Sequence, residues 1–116
     1  MSEELKKRMR VFALDVIRLA NALPHDRAGD VIGRQLLKCG TSVGANYRAA
    51  SRAKSQADFV AKMGIVEEES DESLYWLELL IEAGLIQRQK AAHLLAEADQ
   101  FVAIAVASIR TARRNK

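Results

Sequence analysis

Apolar residues in this chain recur at spacings of three and four in four separate stretches, and a single proline interrupts the whole length. That pattern constrains the fold more than any other feature. A 3.6-residue repeat lines such residues along one face of a helix, whereas a strand needs strict alternation. In the first stretch Leu5, Met9, Phe12, Val16, Leu19 and Leu23 form a heptad-like seam, which Pro24 and the polar run HDRAGD bring to an end. The second opens near Asp30, an N-cap residue type, and carries Ile32, Leu36, Cys39, Val43, Tyr47 and Ala50 as far as about Ala53. The third begins at Ser55, where Asp58 three residues on resembles a capping box. Its seam is Phe59, Met63, Val66, Ser70, Leu77 and Ile81, with Gly84 as the expected C-cap. The fourth starts near Gln87 and places Ala91, Leu94, Ala98, Phe101, Ala105, Ile109 and Ala112 on one face.

The connections are short, so consecutive helices are expected to run antiparallel. Hydrophobic residues make up 49% of the chain but aromatics only 5%, which favours alanine- and leucine-rich helices over sheet. Together these imply one all-α domain over residues 1–116, an antiparallel up-down-up-down four-helix bundle. No unbroken apolar run approaches the roughly 20 residues of a membrane span. The charged start MSEELKKRMR has no apolar segment behind it, so neither a span nor a signal peptide is expected. The single cysteine, Cys39, cannot form an internal disulfide, which suits a reducing cytoplasm, and it reads as a small core residue.

Charge is distributed unevenly. Residues 1–54 hold eleven Lys/Arg against five Asp/Glu, residues 55–99 three against ten, and residues 100–116 four against none. The basic parts either pair with the acidic middle inside the fold or face a polyanion. The stretch CGTSVGANYRAASRA, residues 39–53, decides how the second helix takes part. It is no phosphate loop: the glycine spacing is wrong, no lysine follows the second glycine and no strand precedes the first. At about 100° per residue it sorts as one helix with three faces. Lys38, Arg48 and Arg52 fall within about 40° of Arg34, opposite the apolar seam, while Gly33, Gly40, Gly44 and Ser51 share a flank. Each helical glycine costs about 1 kcal/mol relative to alanine, so close approach of another helix is expected to offset the loss. That helix belongs either to the same bundle or to a neighbouring subunit. The second alternative makes Gly40 and Gly44 interface residues.

The basic stripe, with Lys54 and the tail residues Arg110, Arg113, Arg114 and Lys116, has the composition of a phosphate-contacting surface. A solvated helix face is the competing reading. No aromatic ladder accompanies the cations and no sequence-reading motif is visible. On the third helix Ile65, Trp76, Leu79 and Ala83 make a second apolar stripe about 120° from the first, which either completes the core or buries against another subunit. The acidic run EEESDE at 67–72 reads as a solvated or ion-paired face. The only histidines, His25 and His93, complete no Glu-x-x-His pair, so no metal and no cofactor is expected. No base–nucleophile pair is visible, and no catalytic residue is assigned.

Residues 36–86 resemble the four helix bundle protein family, also called the 23S rRNA intervening-sequence protein family. The likeness is carried by Thr41–Tyr47, Ser55, Ala57–Phe59, Glu69, Glu72, Tyr75–Leu77 and Glu82–Gly84, in that order. It implies an antiparallel bundle and a homo-oligomer, a pentameric ring in relatives. One related branch, the accessory variability protein of diversity-generating retroelements, forms a basic barrel that binds nucleic acid and a reverse transcriptase. Two departures stand out: Ala49 replaces a glutamate usual in the family, and Glu67 and Glu68 stand where an apolar and a basic residue are expected. The resemblance carries over no catalytic residue.

Two functions follow as expectations. One is a non-enzymatic oligomer binding RNA or DNA through Arg34, Lys38, Arg48, Arg52, Lys54, Arg110, Arg113 and Arg114. The other is an oligomeric scaffold for a partner protein such as a reverse transcriptase, with Gly40, Gly44, Ile65, Trp76 and Leu79 at the subunit interface.

Overall fold

The computed structural model describes residues 2–115 and contains four helices: α1 (Glu3–Asn21), α2 (Arg27–Ala50), α3 (Gln56–Glu82) and α4 (Arg88–Arg114). Each packs on its neighbour in sequence, and α1 and α4 close the ring through a lighter contact. The up-down-up-down bundle expected from the sequence is the fold, 49 Å long and 22 by 18 Å across.

The helix ends show how the chain is cut into these lengths. Ser2 caps α1 by accepting from the Leu5 amide at 3.0 Å, and its own amide donates to the Tyr47 hydroxyl at 3.2 Å. That second bond ties the start of α1 to the end of α2. Ser55 caps α3 by accepting from the Asp58 amide at 3.0 Å. Asp58 reaches back to the Lys54 amide at 3.2 Å rather than to the cap residue, a capping box displaced by one residue. At the far end of α3 the Leu85 amide donates to the Leu80 carbonyl at 2.9 Å and the Gly84 amide to that of Ile81 at 3.0 Å. Gly84 has φ +77°, so this is a Schellman turn with Gly84 one residue beyond the C-cap, Ala83.

One boundary differs from the sequence reading. Helix α2 begins at Arg27, with Asp26 rather than Asp30 as its N-cap, accepting from the Gly29 amide at 2.7 Å. The first turn, RAGD, contributes no large apolar residue, so periodicity alone starts the helix too late. Gly29 is required there, since a Cβ would run into the Pro24 carbonyl oxygen of the preceding turn.

The core is built from the expected seams, with Met9, Phe12, Val16, Leu36, Val43, Met63, Val66, Leu77, Ala98, Phe101 and Ala105 all buried. Helix α3 buries a wider arc than its first stripe, because it packs on α2 and on α4. Ser73 and Leu80 join the core, while Ile81 is only half-buried. Ser73 donates to the Glu69 carbonyl at 2.8 Å and to Cys39 Sγ at 3.3 Å. Burial pushes the Cys39 thiol up, so it stays protonated as a core residue.

One 18-residue window of α4 is long and apolar enough to meet the length-and-composition criterion for a membrane span, a criterion that the core helix of a bundle also meets. The property is spread over many alanines punctuated by few charges, so counting unbroken apolar runs passes over it.

Candidate nucleic-acid interface

The antiparallel arrangement gathers cations that are far apart in sequence. Helix α1 starts where α2 ends, as the Ser2–Tyr47 bond shows, and α3 starts where α4 ends, where the Gln56 side-chain amide donates to the Ala112 carbonyl. One end of the bundle therefore collects Lys6, Lys7, Arg8 and Arg10 from α1, Arg48, Arg52 and Lys54 from the α2–α3 region, and Arg110, Arg113 and Arg114 from α4. The acids Glu78 and Glu82 lie at the end of α3, on the opposite pole.

Arg34, Lys38, Arg48, Arg52, Lys54, Arg110, Arg113 and Arg114 are all exposed, and among the described residues none reaches salt-bridge distance of a carboxylate. Lys116 lies outside the described residues. The stripe on α2 nevertheless divides. Lys38 leans toward α3, close enough to act on Glu69, whose carboxyl is pushed up by burial first and by Glu72 next, against the opposing pull of Lys38. Arg48 and Arg52 turn the other way. They line a groove of about 580 Å³ between α1 and α2 that also takes in Lys6, Lys7 and Arg10. Those three α1 cations carry no sequence signal of their own, because they sit between apolar seam positions and repeat with no period.

Other charges are already engaged. Arg8 grips Glu97 with two nitrogens, at 2.6 and 3.2 Å, donates to Gln100 at 2.6 Å, and lies over the Phe101 ring at 5.4 Å. It closes the α1–α4 seam and is not available to a ligand. Asp58 is held below the usual carboxylate range, chiefly by Lys62 at 2.7 Å and then by the Lys54 amide. Among the described residues no three His, Cys, Asp or Glu side chains gather closely enough to hold a metal ion.

The expected interface residues are placed as follows. The glycine flank packs within the chain. A Cβ on Gly40 would stand 2.8 Å from Val16 Cγ1, and one on Gly44 would stand 3.3 Å from Met9 Cβ. The helix that approaches them is α1, and Gly40 is buried beneath it, which removes it from any subunit surface. Ile65 is exposed, Trp76 is half-buried against the core, and Leu79 is half-buried. A different apolar row lies open on α1, where Val11, Leu14 and Ile17 are 42%, 44% and 36% exposed. Its three-residue spacing, on the side away from the seam, was legible but was outweighed by the stronger core pattern.

Comparison with known proteins agrees with this architecture. The family model of the 23S rRNA-intervening sequence protein matches residues 2–107. A crystal structure from Bacteroides thetaiotaomicron, described as a protein of unknown function from the S23 ribosomal protein family, superposes with a TM-score of 0.84 at 33% identity. The match covers 90% of this chain and 97% of that one. No functionally curated protein matches the chain. With the family model spanning nearly the whole bundle and a solved relative sharing its four helices, the chain belongs to the 23S rRNA-intervening sequence protein family.

Proposed function

We propose that this protein is a non-enzymatic homo-oligomer that binds nucleic acid through phosphate contacts, without reading sequence. The observation that supports this most directly is the basic pole: exposed cations from three helices, free of carboxylate partners among the described residues, drawn to one end by antiparallel packing. Unpaired like charges held together repel, and a polyanion relieves that repulsion while releasing its own counterions. The family description, which refers to a 23S rRNA-intervening sequence, points toward the same class of ligand. Fluorescence anisotropy with labelled RNA and DNA across a salt series tests the reading. Affinity is expected to fall steeply between 50 and 200 mM salt, by about 10³-fold if roughly six phosphates are contacted. Arg48→Ala with Arg52→Ala is expected to flatten the log–log salt slope by about two. Binding no tighter than that of an acidic control protein to the same probes would refute it.

Assembly is supported by the apolar row on α1 and by the modest burial of α4. Leu14→Glu puts a charge into that row without touching the core. If the row is a subunit contact, molar mass by light scattering should fall toward the 12.9 kDa of one chain. An unchanged mass would assign the row to another partner, and would favour the second reading, a scaffold for a protein such as a reverse transcriptase.

A further inference from the structure

The geometry points to the α1–α2 groove as a seat for one backbone of a nucleic-acid duplex, an inference that rests on the polyanion reading above and gives it a place. One wall carries Lys6, Lys7 and Arg10 from the first turns of α1, and the other carries Arg48 from the end of α2 and Arg52 just beyond it. Among the described residues the only acid lining the groove, Glu3, is taken up by Lys6 at 3.1 Å. Lys7, Arg10, Arg48 and Arg52 have no carboxylate within salt-bridge distance among the described residues.

The floor is as informative as the walls. Gly44 has no side chain and lies close over Met9, so the two helix backbones approach and the bottom of the groove is smooth. Long, jointed cationic side chains then stand on both sides of a channel with little in its middle. That arrangement lets both walls reach the same row of phosphates, where a flat basic patch would touch it from one side only. Arginine forks and lysine point charges together tolerate variation in phosphate position.

The lining also discriminates between ligands. Among the described residues it contains no Phe, Tyr or Trp. Phe12, Tyr47 and Phe101 are buried in the core, and Phe59, Tyr75 and Trp76 belong to α3. Grooves that hold single strands draw about 1–3 kcal/mol per base from aromatic stacking, and none is on offer here. A duplex keeps its bases stacked on each other and presents one negative charge per roughly 1.7 Å of axis. With recognition left to phosphates alone, the denser and already stacked ligand is the better fit.

The test compares a labelled 20-base-pair duplex with one of its strands, by anisotropy at 50 mM salt, on the full chain. One variant is Lys7→Glu with Arg10→Glu, inside the groove. The other is Arg113→Glu with Arg114→Glu, at the same pole but outside it. Each changes net charge equally and all four residues are exposed, so folding, followed by far-ultraviolet circular dichroism, should be unaffected. The expected result is at least a tenfold loss of duplex affinity for the groove pair, threefold or less for the tail pair, and a wild-type preference for duplex over strand. Equal losses for the two pairs, or a strand bound as tightly as the duplex, would overturn the groove assignment while leaving polyanion binding intact. Absence of any binding by the wild-type chain would remove the polyanion reading itself. A groove variant that changes molar mass at the same salt would show that the acidic face of a second copy fills the groove, which also overturns the assignment.

Discussion

Phe101→Ala is expected to cost about 3–5 kcal/mol of unfolding free energy, the range for removing a fully buried phenylalanine ring. A domain of this size holds roughly 5–15 kcal/mol in all, so the substitution takes a large share. The site explains why the upper part of the range applies. Phe101 is 0% exposed and meets Phe12 edge-on, ring centres 5.4 Å apart at 82°. Such a pair adds about 0.5–1.5 kcal/mol beyond the area it buries. Helices α1 and α4 make the lightest of the four helix–helix contacts, so little else can close over the cavity. Arg8 also lies over the lost ring, and its hold on Glu97 depends on that packing. Urea unfolding of Phe12→Ala, Phe101→Ala and the double variant measures the effect. The double is expected to cost less than the two singles together, because each single already removes the shared contact. Additivity within about 0.5 kcal/mol would show that the rings act independently and that the α1–α4 seam is held elsewhere.

Gly40→Leu is expected to destabilise by about 1–3 kcal/mol through overpacking, despite the gain in helix propensity. Even the first added carbon would stand 2.8 Å from Val16 Cγ1, 3.0 Å from Cγ2 and 3.2 Å from Cβ. Val16 is buried and β-branched, so it has no free rotamer to yield into, and α1 must move away. Gly64→Ala is the control. It also lies mid-helix, but an added Cβ there meets nothing within 4 Å. It should stabilise by up to about 1 kcal/mol, the intrinsic difference between glycine and alanine. Two glycine replacements of opposite sign, read from thermal or urea midpoints, would separate close approach from propensity. A Gly40→Leu variant as stable as the wild type would mean that α1 and α2 are not pressed together at this point.

These two cases mark how far the residues themselves carry. The seams around Met9, Val43, Met63 and Phe101 were legible, because burial in a helix follows a local 3.6-residue repeat. The caps at Ser55 and Gly84 were legible for the same reason, since a side chain three residues away or a single left-handed residue does the work. The start of α2 lies four residues before the point that periodicity marks, because its cap Asp26 precedes a turn with no large apolar residue. Ser73 and Leu80 were missed on α3, where two neighbouring helices widen the buried arc beyond one stripe. In the candidate site Arg48 and Arg52 could be picked out along α2, but Lys6, Lys7 and Arg10 could not be joined to them.

The sequence by itself determined the four helices, their apolar faces and the basic-acidic-basic order of charge, all of which depend on contacts within a few residues. It also posed the question of what lies against Gly40 and Gly44 without settling it. Only the tertiary structure decided that α1 of the same chain covers that flank. It likewise decided that antiparallel packing draws three separate basic segments to one pole and leaves a cationic groove between α1 and α2. Both outcomes depend on which helices lie side by side and in which direction, and helical periodicity, being the same for either choice of neighbour, carries no record of that.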